Sequence, residues 1–332
     1  MRALVTGGGG FLGRAIVGQL LARGDRVRSL ARGDYPELER LGVECVQGDL
    51  RDAKATRGAC AGMEVVFHAA GIAGIWGPWN DYYGINVVGT RHVIEGCREH
   101  RVPRLVFTSS PSVTFDGTPQ KNVDETAGYA RRWLCHYAHT KALAEQEVLA
   151  ANGPHLATCA LRPHLIWGPG DPHLIPRLIV RARWGRLRRV GDGSNRVDMV
   201  YVDNAARAHL QAADALKPDW AVAGSAYFIS QGEPVNCWEW IDEILALAGL
   251  PPVRRAVSLA TAWRLGALFE TVYRLLRAGG EPPMTRFLAA QLGTSHYFDI
   301  SKARRDFGYQ PLVSKAEGMR RLGEALQTPA KW

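Results

Sequence analysis

The sequence lacks long hydrophobic runs, paired cysteines and internal repeats. Its longest stretch without Asp, Glu, Lys or Arg is 65–80, and the glycine, proline and histidine residues in that stretch exclude a membrane-spanning helix. The six cysteines are dispersed and form no C-x-x-C pair, so we expect buried free thiols in a reducing compartment. No histidine has the spacing of a metal ligand, and the sequence predicts no metal site.

Composition and charge are those of a folded, soluble protein. Of the 332 residues, 46% are apolar and 22% charged, and 41 basic against 32 acidic residues give a net charge of +9. This charge suits an anionic ligand or an anionic membrane surface. We expect no nucleic-acid partner, because the arginines are scattered and no nucleic-acid-binding motif is present. The first predicted strand begins at residue 2, which leaves no room for a signal peptide and predicts a cytoplasmic protein, with peripheral attachment to the inner face of the membrane as the alternative.

A glycine-rich loop near the start of the chain lies between a predicted strand and a predicted helix. The loop, Thr6-Gly7-Gly8-Gly9-Gly10-Phe11-Leu12-Gly13, follows the apolar run 2–5 and precedes apolar residues at helical spacing. Such a loop lets the backbone approach a pyrophosphate, and the start of the helix offers it unpaired N–H groups. The glycines fit a dinucleotide-binding motif as Gly8, Gly10 and Gly13 or as Gly7, Gly10 and Gly13. A plain glycine turn is the alternative.

Predicted strands and helices alternate through the first half of the chain. Strands are predicted at 26–30, 43–47, 65–70, 104–109 and 158–166, and helices at 83–99 and 137–150. This order predicts an α/β fold with a Rossmann-type, doubly wound parallel sheet that carries helices on both faces. Ligands of such sheets bind at the carboxyl ends of the strands. The residues predicted at those ends are Gly7, Asp49, Ala69 and Ser110.

Tyr137 and Lys141 are candidates for acid/base catalysis. Their spacing of four places both side chains on one face of a predicted helix. An ammonium group beside a phenol stabilises the phenolate, which suits proton exchange with an alcohol or a ketone. The same spacing is common on solvated helix faces, so the catalytic interpretation depends on the nearby glycine loop and strand ends.

Taken together, these residues resemble the extended short-chain dehydrogenase/reductase superfamily. Thr6-Gly7-x-x-Gly10-Phe11-Leu12-Gly13 matches its glycine motif and selects Gly7, Gly10 and Gly13, while Tyr137-x-x-x-Lys141 matches its catalytic pair. The similarity covers nearly the whole chain, and its motifs fall in order. Further matching segments are Gly48-Asp49-Leu50, Phe67-His68-Ala69-Ala70, Asn86-Val87-Val88-Gly89-Thr90 and Tyr201-Val202-Asp203-Asn204.

The resemblance implies a division of the chain and a set of cofactor contacts. It implies a dinucleotide-binding domain at 1–168, to which 196–216 returns, and a smaller, mostly helical substrate-binding part at 169–195 and 217–332. A homodimer is common in the family, so a second copy of the chain is an expected partner, as is an enzyme of the same pathway. The implied cofactor-binding residues are Gly7, Gly10, Phe11, Leu12, Gly13, Arg32, Asp49, Leu50, Ala69, Ala70, Tyr137 and Lys141.

The catalytic roles follow from the same motifs. We expect Tyr137 to exchange a proton with the substrate oxygen as hydride moves to or from the nicotinamide. Lys141 is expected to lower the phenol pKa and, by resemblance, to hydrogen-bond the nicotinamide ribose. Ser110 is expected to hold the substrate oxygen, and Ser109 is the alternative for that role.

Cofactor choice depends on the end of the second predicted strand. An acidic residue there would bind the ribose 2′-hydroxyl of NAD. This chain instead has Ser29-Leu30-Ala31-Arg32, and its next acid is Asp34. Because Arg32 can pair with a 2′-phosphate, the sequence favours NADP(H) over NAD(H); the alternative is an ordinary surface arginine. By resemblance, Asp49 is expected to meet the adenine amino group.

Within the superfamily the chain is similar to the 3β-hydroxysteroid dehydrogenase branch, through 107–113 and 161–169. Segments 32–38, 191–195 and 280–288 resemble bacterial 2-alkyl-3-oxoalkanoate reductases of olefin biosynthesis, and 108–117 and 308–313 resemble sterol-4α-carboxylate 3-dehydrogenases. The resemblance implies an oxidoreductase that interconverts a hydrophobic 2-alkyl-3-oxo acid and its 3-hydroxy acid. The alternatives are a decarboxylating sterol dehydrogenase, a nucleotide-sugar epimerase or dehydratase, and a non-catalytic NADP-binding regulator, which the intact Tyr137/Lys141 pair disfavours.

Two aromatic features have open interpretations. Trp76 and Trp79 follow the fourth predicted strand and are candidates to wall a pocket for an alkyl chain or a sterol ring, with ordinary packing as the alternative. The segment 259–276 is amphipathic and carries Arg264, Arg274 and Arg277. Its expected role is packing on the substrate-binding part, and the alternative is a helix that lies on an anionic membrane.

Overall fold

The computed structural model describes residues 1–327 and contains fifteen strands among them. Some strands have only two residues, whereas those of the main sheet have four to seven. The strands are β1 (Arg2–Thr6), β2 (Arg26–Ala31), β3 (Glu44–Gln47), β4 (Val65–His68), β5 (Arg104–Thr108), β6 (Gln120–Val123), β7 (Ala157–Pro163), β8 (Ile166–Trp167), β9 (Arg189–Val190), β10 (Arg196–Val197), β11 (Val200–Tyr201), β12 (Ser225–Ile229), β13 (Val235–Asn236), β14 (Ala256–Val257) and β15 (His296–Phe298).

The helices are concentrated between the main strands and in the last third of the described residues. A π-helical segment, Tyr83–Val88, continues α4 into α5, and a 3₁₀ turn, Pro111–Thr114, follows β5. The α-helices are α1 (Phe11–Ala22), α2 (Pro36–Arg40), α3 (Ala53–Ala59), α4 (Trp79–Tyr82), α5 (Gly89–Glu99), α6 (His136–Ala150), α7 (Leu174–Arg183), α8 (Val202–Ala215), α9 (Cys237–Leu247), α10 (Leu259–Leu275), α11 (Arg286–Gly293), α12 (Ser301–Phe307) and α13 (Lys315–Gln327).

A seven-stranded parallel sheet in the order β12-β7-β5-β4-β1-β2-β3 forms the centre of the molecule. The chain order reverses between β1 and β4, which is the switch point where doubly wound sheets bind their ligands. Residues 3–5 of β1 and 65–67 of β4 are fully buried, as expected for strands covered on both faces. The predicted Rossmann-type fold is therefore confirmed.

Helices cover both faces of this sheet. On one face α1 and α8 pack together, and Gln19 donates a hydrogen bond of 2.8 Å to the carbonyl of Asp203. On the other face α3, α5 and α6 bury residues such as Val93, Cys97 and Val148 against the strands. All six cysteines are free thiols, as expected; five are buried and Cys45 is partly exposed.

The main sheet uses more of the chain than the predicted division gave it. Strand β12 lies inside the segment 217–332 that the sequence assigned to substrate binding, yet it pairs with β7 at five positions. Phe307 and Tyr309 belong to the core beneath the same sheet. The last residues of that assigned segment, 328–332, lie outside the described part of the chain.

Short strands and helices build the remainder of the structure. Strands β13, β10, β15 and β6 form a second sheet, and β8–β11 and β9–β14 form two small parallel pairs. Strand β11 has only two residues, because α8 begins directly after it at Val202. None of the helices between residues 1 and 327 has the length and apolar character that crossing a bilayer requires.

Candidate active site

A cavity of about 900 Å³ runs along the carboxyl ends of the central strands. It begins at the glycine loop after β1, passes the ends of β5 and β7, and continues toward α7 and α11. The structure thereby brings together the predicted cofactor and catalytic residues around one cavity. Those that line the cavity are Gly7, Gly10, Phe11, Leu12, Gly13, Arg32, Asp49, Leu50, Ala69, Ala70, Ser110, Tyr137 and Lys141.

The glycine loop forms a tight turn that leaves the start of α1 open. Gly7 has a φ of +72°, and its carbonyl accepts a hydrogen bond of 2.8 Å from Gly10 N–H. A Cβ atom at Gly13 would lie 2.0 Å from the Gly7 carbonyl oxygen, so only glycine allows this packing. No side chain caps the start of α1, which leaves its first N–H groups for an anion. These features fit the pyrophosphate of a dinucleotide.

Tyr35 is a part of this end of the cavity that sequence reasoning missed. Its ring lies so close to the glycine loop that a Cβ atom at Gly9 would approach a ring carbon to 2.2 Å. The Arg14 guanidinium lies 5.5 Å from the centre of the same ring. Asp49, at the other side, forms an ion pair of 2.7 Å with Arg51, and hydrogen bonds from Arg51 lower the pKa of Asp49 to about 2. Arg32 is exposed beside it.

Ser110 and Tyr137 meet where β5 ends and α6 begins. The Ser110 hydroxyl oxygen accepts hydrogen bonds from the backbone N–H of Ser112 (3.2 Å) and from the Ser112 hydroxyl (2.9 Å). Burial raises the pKa of the Tyr137 phenol above its ordinary value, and a hydrogen bond with Ser110 partly offsets that rise. Ser109, the alternative to Ser110, has a buried hydroxyl without a hydrogen-bond partner among residues 1–327.

Lys141 lies one helical turn after Tyr137 and is only 6% exposed. Its ammonium nitrogen donates a hydrogen bond to the Thr108 carbonyl and lies 4.0 Å from the centre of the Phe107 ring. Burial lowers the pKa of Lys141 to about 7, and the nearby Glu145 opposes that change. The expected lowering of the Tyr137 pKa by Lys141 is not what the structure gives: burial disfavours the charged form of Lys141, and the phenol pKa rises instead.

Two buried polar residues hold the neighbouring loop and strand in place. Asn86, in the π-helical segment, exchanges hydrogen bonds with the backbone of Ile72 and donates one of 3.0 Å to Thr140 on α6. His68 bonds Thr6 at 2.7 Å and Thr90 at 2.9 Å, which joins β4 to β1 and α5. Both residues lie in segments that the sequence had matched to family motifs, but no role was predicted for them.

A hydrogen-bonded network of buried polar residues reaches the far end of the cavity, which His164, Gln291 and His296 line. His164 Nδ1 lies 2.5 Å from an Asp198 carboxylate oxygen, and His164 Nε2 lies 3.1 Å from His296 Nδ1. His296 Nε2 lies 2.7 Å from the Gln291 carbonyl, which can only accept. Burial lowers the pKa of His296 to about 3, so this ring is neutral: its Nε2–H donates to the Gln291 carbonyl, and its Nδ1 accepts a hydrogen bond from His164 Nε2–H. The sequence did not predict these contacts, because the residues that make them lie far apart in the sequence.

The apolar part of the cavity is not built from the two predicted tryptophans. Among the described residues that line it, Ile72, Ile75, Phe115, Leu174 and Phe287 supply the apolar surface. Trp79 instead packs against His136 and His139, with ring centres 5.4 and 5.0 Å apart. Trp76 packs edge-on against Tyr273 of α10. The assignment of Trp76 and Trp79 to the substrate pocket is therefore corrected: these rings fasten the loop to α6 and α10.

The sequence was also compared with known families and proteins. The profile of the 3-beta hydroxysteroid dehydrogenase/isomerase family matches residues 4–259. The chain belongs to this family. It is 53% identical over 324 residues to the 2-alkyl-3-oxoalkanoate reductase of Stenotrophomonas maltophilia, covering 97% of this chain and 98% of that protein. It is 36% identical to the Mus musculus sterol-4-alpha-carboxylate 3-dehydrogenase, decarboxylating, covering 98% of this chain and 91% of that one.

Solved structures of sugar-nucleotide enzymes share the fold. The Thermus thermophilus UDP-glucose 4-epimerase in complex with NAD superposes with a TM-score of 0.76 at 24% identity, covering 99% of this chain and 100% of the other. MoeE5 in complex with UDP-glucose and NAD gives a TM-score of 0.74 at 25% identity, with 98% of both chains covered. The matched family is one of dehydrogenases. The glycine loop of this chain fits a nicotinamide dinucleotide. Between residues 1 and 327, no group of three or more His, Cys, Asp or Glu side chains could hold a metal ion.

Proposed function

We propose that this protein is an NADP(H)-dependent oxidoreductase that interconverts a hydrophobic 2-alkyl-3-oxo acid and its 3-hydroxy acid. The observation that carries the proposal is a single cavity that joins three things: the glycine loop, the Ser110, Tyr137 and Lys141 side chains, and an apolar extension toward α7 and α11. The 53% identity to a 2-alkyl-3-oxoalkanoate reductase supports this substrate class over the sterol carboxylate of relatives at 36% identity.

The proposed chemistry needs a proton donor beside the substrate ketone. A raised pKa keeps the Tyr137 phenol protonated at neutral pH, so the phenol can give its proton to the ketone oxygen. A bound nicotinamide dinucleotide supplies the hydride in this direction and accepts it in the reverse one. Ser110 lies against Tyr137 and would orient the same oxygen. Lys141, with a pKa of about 7, can carry the proton that restores the phenol.

We further propose NADP(H) as the cofactor. The support is Arg32, whose exposed side chain borders the cavity immediately after β2, where NAD-specific proteins carry an acid. An arginine offers a 2′-phosphate two parallel N–H donors and a permanent charge. Gly7, Gly10 and Gly13 would hold the pyrophosphate, and Asp49 would face the adenine.

The division of labour proposed from the sequence has support at the far end of the cavity. His173, Leu174 and Arg177 come from the segment 169–195, and Phe287, Gln291 and His296 come from 217–332. Both segments were assigned to substrate binding. We propose that they form the acyl pocket, and that a homodimer is the assembly to test first.

The experiment is a direct comparison of substrates. The full chain is assayed for reduction of a 2-alkyl-3-oxo acid with NADPH, and in parallel for oxidation of a sterol 4α-carboxylate and for binding of a uridine-diphosphate sugar. We expect turnover of the oxo acid alone. Turnover restricted to the sterol, or tight binding of the sugar nucleotide, would reject the proposed substrate class.

Tyr137→Phe tests the proton donor in the same assay. Loss of a positioned proton donor should lower turnover about a hundredfold to ten-thousandfold while NADPH binding changes little. Tyr297→Phe is the matched control. Tyr297 does not line the cavity, although its neighbours His296 and Phe298 do. Full turnover by Tyr137→Phe would remove Tyr137 from the mechanism.

A further inference from the structure

Large apolar side chains are exposed together on α7 and α10. Trp184, directly after α7, is 72% exposed, and Leu275, at the end of α10, is 78% exposed. Single exposed leucines are ordinary, but a concentration on two helices is not. We call this surface the docking face. It consists of Val180, Trp184, Leu265, Leu268, Leu275 and Leu276.

On α10, the docking face lies opposite the side of the helix that packs against the rest of the protein. Ala262, Gly266 and Glu270 are buried, and Glu270 accepts hydrogen bonds from Arg286 at the start of α11. Trp263, Phe269 and Tyr273 of the same helix are partly buried. The outer side therefore carries Leu265, Leu268 and Leu275, at spacings that keep them on one side of a helix.

Helix α7 of the docking face borders the cavity. Leu174 and Arg177 in the first turn of α7 line it. Arg177 forms an ion pair of 2.9 Å with Glu281, which follows α10 by six residues. This contact ties the segment that follows α10 to the first turn of α7, beside the cavity.

The surface around these apolar residues is strongly basic. The segment 174–191 contains six arginines and no acidic residue. Arg177 and Arg189 form ion pairs, whereas Arg183, Arg186 and Arg264 have none with the described part of the chain. Arg186 lies over the Trp184 ring, with its guanidinium carbon 5.9 Å from the ring centre. Apolar side chains with flanking arginines and an exposed tryptophan are the composition of a helix that binds at a lipid interface.

We propose that the docking face binds the surface of an anionic lipid bilayer and sets the cavity entrance against it. Trp184, Leu268 and Leu275 enter the headgroup region, and the unpaired arginines contact lipid phosphates. An acidic protein partner would also satisfy the arginines. The bilayer is favoured because the face exposes large apolar side chains, and because α7 also borders a cavity with apolar lining. Docking itself does not depend on the proposed function; its benefit, entry of a hydrophobic acid from the lipid, rests on it.

The test is flotation of the purified full chain with lipid vesicles, in the absence of substrate and cofactor. One set contains phosphatidylglycerol and phosphatidylcholine in equal amounts, and the other only phosphatidylcholine. We expect binding to the anionic vesicles that weakens with added salt, and little binding to the neutral ones. Because each residue loses a buried apolar contact, Trp184→Ser and Leu275→Asp should each lower the bound fraction about tenfold.

Matched controls come from two other exposed residues, of the same types, outside these helices. Trp220→Ser and Leu312→Asp alter side chains that are 53% and 65% exposed, and we expect both variants to bind like the unchanged protein. All four variants should keep the melting temperature and far-UV circular dichroism of the unchanged protein, which shows that they are folded. Equal binding by test and control variants, or no binding of the unchanged protein to anionic vesicles, overturns the proposal. A shift in oligomeric state with Leu275→Asp, without vesicle binding, would assign the face to a second copy of the chain instead.

Discussion

Tyr137 and Lys141 lie one turn apart on α6, and burial favours the neutral form of both side chains. The pKa of the phenol is raised and that of the ammonium is lowered to about 7. The Tyr137 phenol is therefore a protonated donor at neutral pH, and the Lys141 amine one helical turn away titrates near pH 7. The pair is not a phenolate beside a permanently charged ammonium group. Hydrogen bonds from Ser110 to the phenol and from Lys141 to the Thr108 carbonyl hold the two groups in place.

The change of a single hydroxyl separates the roles of the two serines. Ser110→Ala removes the hydrogen bond to Tyr137, so we expect turnover to fall about tenfold to a hundredfold and the alkaline limb of the pH profile to move upward. Ser109→Ala is the matched control. Because the Ser109 hydroxyl is buried without a partner among the described residues, its removal should leave turnover and stability nearly unchanged. A larger loss with Ser109→Ala would exchange the two assignments.

Arg32→Ala tests the cofactor preference. Loss of a charge-assisted hydrogen bond to the 2′-phosphate should raise the Kd for NADPH about tenfold to a hundredfold and leave the Kd for NADH nearly unchanged. Saturation curves for both cofactors measure the effect. Arg40→Ala, at the exposed end of α2, controls for the loss of one surface charge. Equal effects of Arg32→Ala on both cofactors would contradict NADP(H) selection by this residue.

Gly13→Ala and Gly18→Ala form a matched pair on one helix. A Cβ atom at Gly13 would lie 2.0 Å from the Gly7 carbonyl oxygen, whereas at Gly18 it would meet nothing within 4 Å. Gly13→Ala should therefore abolish dinucleotide binding and lower the melting temperature. Gly18→Ala should raise the free energy of unfolding by about 0.5–1 kcal/mol, since alanine favours a helix interior. Calorimetry and NADPH titration distinguish these outcomes; tight NADPH binding by Gly13→Ala would contradict the loop assignment.

The buried amine predicts how stability depends on pH. The pKa of Lys141 is about 7 in the folded protein and near its ordinary value of 10.5 when unfolded. Between these values the unfolded chain binds more protons, so this group adds stability as pH rises and loses it as pH falls toward 7. From about pH 7 to about pH 9 the unchanged protein should gain about 2 kcal/mol relative to Lys141→Met. Urea unfolding of both proteins at both pH values measures this difference. If the free energy of unfolding changed equally with pH in the two proteins, the Lys141 amine would be exposed to water rather than buried.

Residues at the carboxyl ends of the predicted strands were enough to predict, from sequence, which residues line the glycine-loop end of the cavity. Glycines, Asp49, Ala69 and Ser110 each follow a predicted strand, and parallel strands bring their carboxyl ends to one edge. Local pattern was enough here, because each residue's position depends on its own strand. The glycine motif and the Tyr137/Lys141 spacing are likewise contained within short segments, which is why a single sequence reveals them.

The substrate side could not be predicted in the same way. His164 and His296 are 132 residues apart, and their contact depends on β15, a three-residue strand with no detectable periodicity. Trp76 and Trp79 were assigned to the pocket because they follow a strand of the site. A loop of this kind can turn either side toward a cavity, and only the packing of His139 and Tyr273 decides which.

The pairing of β12 with β7 has a consequence for biosynthesis. Strand β7 is fully buried, yet one of its two neighbours comes from residues 225–229. While the chain is being made, β7 therefore remains an open sheet edge until that later segment has left the ribosome, and open edges promote association with other chains. A fragment cut after residue 168 would keep the glycine loop and the Tyr137/Lys141 pair but carry this edge permanently. Residues 1–168 therefore do not contain the complete main sheet, whose last strand comes from the final third of the chain.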